Sequence, residues 1–147
     1  RSKAKGLKYA NQFKIKKKIF NFRNNKITEN KVLLYLKKEK INFICLAGFM
    51  KILSKNFIKK FQGKIINIHP SLLPKYKGLN THERAIMNKD KFSGCTVHYV
   101  NAKLDSGKKI MQKKVRILAK DTSFSLAKKV LKREHKLYPD SILKIFS

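Results

Sequence analysis

Lys64-Ile-Ile-Asn-Ile-His-Pro-Ser-Leu-Leu-Pro74 decides the fold of this chain. Its opening residues are apolar and β-branched, so residues 65–68 read as a short strand. Pro70 and Pro74 rule out regular structure immediately beyond it. Asn67 and His69 are two apart, and on an extended segment their side chains leave the same face. They stand at the carboxyl end of the strand, where open α/β sheets hold their ligands. An amide and an imidazole placed together can answer an oxyanion, and the imidazole can also move a proton.

Outward from this strand, apolar runs and helical patterns alternate. Residues 2–12 have helical character, and Lys17-Lys-Ile-Phe-Asn-Phe reads as a short strand. Thr28 is a plausible cap for a helix through Lys38, with Val32, Leu33 and Leu36 at apolar spacing. Residues 41–47 form a buried-strand candidate ended by Gly48, and residues 54–61 a helix stopped by Gly63. Residues 81–88 read as a helix capped by Thr81. Residues 96–100 and 110–117 read as strands, and Ser123 begins a long helix through Lys136 that Pro139 ends or kinks. Strands alternating with helices predict an α/β fold, with a mostly parallel sheet flanked by helices. The two late strands, joined by a short loop, predict an antiparallel addition near the C-terminus.

At 147 residues with 42% hydrophobic content, the chain is expected to form a single domain over residues 1–147 with a sizeable core. No apolar run reaches spanning length and no signal-peptide pattern is present, which predicts a cytoplasmic protein with no membrane partner. The net charge of +29 invites a nucleic-acid reading. Only five of the 37 basic residues are arginine, however, and lysine is spread along nearly the whole chain amid Ile, Asn and Phe. That pattern fits the codon drift of an A/T-rich genome better than a dedicated binding element, so no specific nucleic-acid partner is expected. A positive field would still speed the capture of anionic small molecules. Cys45 and Cys95 have no metal spacing and lie in apolar runs, where a free cysteine behaves as a small hydrophobe. No clustered His or carboxylate pattern points to a metal.

Several blocks share one register. Residues 67–85 read NIHPSLLPKYKGLNTHERA, preceded by Leu46-Ala-Gly-Phe-Met-Lys-Ile-Leu and followed by Gly94-Cys-Thr-Val-His-Tyr-Val and Leu104-Asp-Ser-Gly. Over residues 2–138 or so, the chain closely resembles the phosphoribosylglycinamide formyltransferase family. The resemblance implies a Rossmann-like formyltransferase fold. It also implies transfer of a formyl group from 10-formyltetrahydrofolate, as co-substrate, to glycinamide ribonucleotide in purine biosynthesis.

By the same resemblance Asn67, His69 and Asp105 are the catalytic residues. Asn67 would face the formyl oxygen, His69 would donate to the oxyanion, and Asp105 would support and orient the imidazole. Taken alone, Asp105 reads as a turn aspartate, because Asp-Ser-Gly is good turn chemistry. The resemblance further assigns Met50, Lys51, Ile52 and Leu53, with Asn67, Asn101, Ala102, Lys103, Leu104 and Asp105, to the folate pocket, and Glu134 to the ribose of the nucleotide. His82 and His98 are expected to play structural parts.

The chain departs from the family in several places. Lys51 stands where arginine is frequent, Ser106 where a second glycine is usual, and Leu131 where a polar or basic residue is usual. The family's first strand, glycine-rich phosphate loop and helix are missing, and the first residue is Arg1, so an amino-terminally truncated domain is expected. Related readings are a methionyl-tRNA formyltransferase-like or formyltetrahydrofolate hydrolase-like enzyme, an inactive fragment, or a basic nucleic-acid-binding protein. Gly78-Leu-Asn-Thr-His-Glu-Arg-Ala fits the glycinamide enzyme better than the first of these, and Pro70 after His69 fits it better than the second.

Overall fold

The structure, a computed structural model, describes Ala4 and Gly6–Ser147. They fall into two compact units, one ending at Ile41 and one over Asn42–Ser147. The first holds helices α1 (Gly6–Gln12) and α2 (Asn25–Lys38). The early part of the helix expected from Ser2 lies outside the described residues.

Two readings of this unit are corrected. No strand forms over residues 17–22, because β-branched and aromatic composition favours a strand only where a partner completes its ladder. Helix α2 begins before Thr28. Asn24 is its cap, accepting from the Ile27 amide at 3.2 Å. The Thr28 hydroxyl lies inside the helix and donates to the Asn21 carbonyl at 2.8 Å.

The second unit runs β1 (Phe43–Leu46), α3 (Lys55–Lys60), β2 (Lys64–His69), α4 (Thr81–Met87), β3 (Phe92–Tyr99), β4 (Lys109–Arg116) and α5 (Ser123–Phe146). The sheet order is β1-β2-β3-β4. Strands β1 and β2 are parallel, joined through α3 as a parallel crossover requires. Strands β2 and β3, and β3 and β4, are antiparallel. The α/β reading with a parallel start and an antiparallel continuation therefore holds. Strand β1 stands at the edge of this sheet and Cys45 is exposed. An apolar run marks a strand without fixing its place in the sheet, so the expected buried strand is only half-covered.

Strand alternation sorts the chemistry. Ile66, Cys95 and Val97, each fully buried, pack with Ala85 of α4 and with Leu126, Val130 and Leu137 of α5. Each of the Ile, Val and Leu side chains contributes about 1.5–3 kcal/mol. The alternate positions Asn67 and His69 are paired in register with His98 and Thr96, and share the opposite face. Helix α5 opens on a capping box between Thr122 and Ser125. It continues unbroken through Pro139 to Phe146, beyond the expected end at Lys136. Pro139 and His135 are both exposed, so water can answer the His135 carbonyl that loses its helical donor. Among the described residues no helix is long and apolar enough to cross a membrane.

Candidate active site

His69 ends β2 and is 6% exposed. Its Nε2–H donates to the Tyr76 carbonyl at 2.9 Å. Its Nδ1 lies 3.4 Å from Asp105 Oδ2, a close ionic contact that is loose for a hydrogen bond. The same Oδ2 accepts from the Gly78 amide at 2.9 Å. Both ring nitrogens thus face oxygens. Nε2 is the fully engaged nitrogen, so Nδ1 is the one that can be shared with an incoming group.

Asp105 reaches this position from the turn after β3. Its φ is 44°, a left-handed conformation tolerated by aspartate. Gly107 follows, where a Cβ would stand 1.6 Å from the Tyr99 carbonyl oxygen. Only glycine lets the turn return so closely to the end of its own strand. Ser106, where the family usually has another glycine, accepts from Lys77 Nζ at 2.6 Å and donates to the Leu104 carbonyl at 2.8 Å. The substitution therefore adds a tie between the two loops and leaves the carboxylate in place.

The loop of residues 70–80 is pinned from β3 and β4. Thr96 Oγ1 donates to the Ser71 carbonyl at 2.6 Å and accepts from the Leu73 amide at 3.1 Å. Gln112 donates to the Leu73 carbonyl and to Thr96 Oγ1, both at 2.8 Å. The cap position of helix α4 is Asn80, whose φ is 56° and whose side chain makes no capping bond, and not Thr81 as expected.

Asn67, His69, Asp105 and Glu134 line one cleft of about 850 Å³, together with Met50, Lys51 and Ile52. A smaller pocket of about 90 Å³ adjoins Asn67 and Asp105, and is lined by Lys51, Ile52, Leu53, Asn101, Ala102, Lys103 and Leu104. Every site residue named from the sequence thus falls on one or both of these concavities. On α5, Ala127, Leu131 and Glu134 share one face at helical spacing and form the cleft's far wall. Leu131 gives that wall an apolar centre. Burial raises the Glu134 carboxyl above its ordinary range, with the nearby His135 pulling the other way.

The two histidines expected to be structural stand in the site. His98 Nδ1–H donates to the Tyr99 carbonyl at 2.8 Å, and its Nε2 lies 3.7 Å from Asp105 Oδ1, beyond hydrogen-bond reach. Burial lowers its imidazole below the ordinary range, although Tyr99 and Asp105 oppose the shift. His82 lines the large cleft, and burial, then the proximity of His69, lowers it too. The backbone contributions of Tyr76 and Gly78 were invisible in the sequence, because any residue offers a carbonyl and nearly any an amide. Both cysteines are free, and burial pushes the Cys95 thiol up to about 12, which keeps it unreactive.

A carboxylate-backed imidazole beside an amide at a strand's carboxyl end is the arrangement the sequence blocks called for. The profile of the formyl transferase family matches residues 1–142. The chain belongs to the formyl transferase family. Among its relatives, the phosphoribosylglycinamide formyltransferase of Haemophilus influenzae is 43% identical over 92% of this chain and 66% of its own length. The human trifunctional purine biosynthetic protein adenosine-3 is 42% identical over 81% of this chain and 12% of its own. The crystal structure of phosphoribosylglycinamide formyltransferase from Brucella melitensis superposes with a TM-score of 0.91 at 42% identity. That match covers 99% of this chain and 76% of the Brucella chain. The chain therefore spans slightly less than two thirds of the Haemophilus enzyme and a small part of the human protein.

Proposed function

We propose that the complete protein transfers a formyl group from 10-formyltetrahydrofolate to the amine of glycinamide ribonucleotide. The observation that carries this reading is the convergence of Asn67, His69 and Asp105 on one cleft walled by Glu134 and continuous with a slot beneath residues 101–104. The amine attacks the formyl carbon and the carbonyl electrons move onto its oxygen. Asn67 Nδ2 and His69 Nδ1–H are the donors suited to that oxyanion. Collapse re-forms the carbonyl, breaks the bond to the folate nitrogen and returns a proton to it. The proton lost by the amine leaves through the Asp105 and His69 pair.

The flat, partly apolar folate suits the slot formed by Lys51, Ile52, Leu53 and the backbone of residues 101–105, with Met50 at its margin. Glu134, backed by an apolar wall, suits a pair of sugar hydroxyls. The reaction asks for no metal, and the site proposed here uses none. The names of the relatives support glycinamide ribonucleotide over a tRNA acceptor or water, and a cytoplasmic setting accords with that metabolism. Neither a nucleic acid nor a membrane takes part in this reaction.

The test is a formyl-transfer assay of the complete protein with both substrates, followed through deformylation of the folate. Turnover that requires glycinamide ribonucleotide is the expected result. Release of formate without the acceptor, or transfer only to charged tRNA, would overturn the assignment.

A further inference from the structure

Tyr76 is held in a conformation that a tyrosine rarely adopts. Its φ is 54°, in the left-handed region that costs a side-chain-bearing residue about 1–2 kcal/mol. Such strain persists only where the surroundings over-determine it. Here they do. The Tyr76 hydroxyl donates to Asp90 Oδ2 at 2.8 Å and accepts from Asn88 Nδ2 at 3.0 Å. The Arg84 guanidinium stacks over the ring at 5.0 Å and donates through Nη1 to the next carbonyl, that of Lys77, at 2.8 Å. Asp90 is in turn paired with Lys75 through both carboxylate oxygens, at 2.9 and 3.1 Å. Lys75, followed by the Tyr76 hydroxyl, holds that carboxyl below the usual carboxylate range, so it accepts as an anion.

All of this grips one residue by its side chain, and the consequence falls on its backbone. The left-handed turn aims the Tyr76 carbonyl at His69 Nε2, 2.9 Å away. A carbonyl only accepts, so it requires a proton on Nε2 and rejects the tautomer that carries its proton on Nδ1 alone. Which nitrogen of a histidine works is set by the bond its other nitrogen makes. We propose that Asp90, Asn88 and Arg84 form a clamp on Tyr76 whose task is to anchor His69 through Nε2, leaving Nδ1 between Asp105 and the cleft. Tyr76 and Asp90 are then positioning residues that act through His69 and touch no substrate. The inference rests on the reading of His69 as the proton donor given above.

Tyr76→Phe keeps the ring under Arg84 and deletes the hydroxyl. In the complete protein, ¹⁵N spectra of the imidazoles should show His69 Nε2 losing the protonated, hydrogen-bonded signature it has in the parent. The kcat should fall about ten- to a hundredfold, with KM for both substrates held within about twofold, because binding contacts are untouched. Asp90→Ala should do the same, and Asp90→Asn, which keeps an acceptor for the hydroxyl, should recover most of the lost rate. The Tyr76→Phe, Asp90→Ala pair should be scarcely worse than either alone, since both break one link.

Unchanged His69 signals in Tyr76→Phe and Asp90→Ala would overturn the clamp. Altered signals with full kcat would overturn its service to the reaction. If the parent protein transfers no formyl group, the functional reading fails separately, and the spectra still decide the clamp. Should Tyr76→Phe misfold, Asp90→Ala with its Asn partner carries the same comparison.

Discussion

The two loops that meet over the cleft are built in opposite ways. The loop after β2 is stitched down through its backbone by Thr96, Gln112 and Arg84, and through the side chains of Lys75 and Tyr76 by Asp90. The loop after β3 leaves residues 101–104 exposed and is anchored mainly at its end, by Asp105 and by the close return at Gly107. The first loop holds a ring by a hydrogen bond from its own backbone. The second offers unhindered backbone to a ligand. Rigid placement of one group beside an adaptable reading edge suits the transfer proposed above.

The sharpest way to break the contrast is at a carboxylate where the two loops meet. Asp105 Oδ2, from the second loop, meets His69 at the head of the first loop and the Gly78 amide within it. Asp105→Asn keeps the shape and removes the charge, so turnover of the complete protein should fall by about 10²–10⁴-fold, with the folate dissociation constant nearly unchanged. A loss confined to folate binding would make Asp105 a docking residue instead.

Gly107→Ala attacks the anchor of the second loop. The added methyl meets the Tyr99 carbonyl, a backbone atom that cannot swing aside, and urea denaturation should show a loss of about 3 kcal/mol or more. Thr96→Val removes two bonds from the first loop and should cost about 1–3 kcal/mol. It should also lower kcat, because the loop it frees carries Tyr76. Lys103→Ala, on the exposed edge, should change stability by no more than about 0.5 kcal/mol. A larger loss there would mean the second loop is as tightly built as the first.

Protonation gives a smaller and separable effect. His98 has a folded-state imidazole lowered by burial. The unfolded chain therefore takes up the proton first as pH falls. The stability involved is fully present above the ordinary value of about 6.5 and is lost progressively below it. His98→Asn should flatten part of the decline in urea midpoint between neutral and mildly acidic pH, with His82 accounting for a share of the rest. Glu134 runs the other way. Its raised carboxyl favours folding at low pH and loses that contribution as pH rises through the folded value. Glu134→Gln should therefore raise the neutral-pH melting temperature slightly while weakening the nucleotide substrate.

Most of the site was legible because its side chains come from short contiguous blocks. The strand spacing of Asn67 and His69 survived intact, and so did the turn that carries Asp105. What stayed hidden were main-chain partners and element limits. Residues 17–22 have strand composition and no strand, since pairing is a property of the neighbour as much as of the run. Thr81 looked like the better cap, yet the turn passes through Asn80, whose left-handed φ the local sequence does not announce. Pro139 looked like a terminus, but an exposed proline only costs the helix one bond that water can replace.

Tyr138 of α5 donates its hydroxyl to the carbonyls of Leu46 and Ile66, 2.7 and 3.3 Å away and 92 and 72 positions back along the chain. Contacts of such separation close only after the intervening chain has collapsed, which makes them late events in folding. One turn before Tyr138 lies Glu134. On a ribosome, then, the strand bearing Asn67 and His69 can assemble well before the helical wall that carries Glu134 exists, and the nascent protein would hold an imidazole in place before its cleft has a far side.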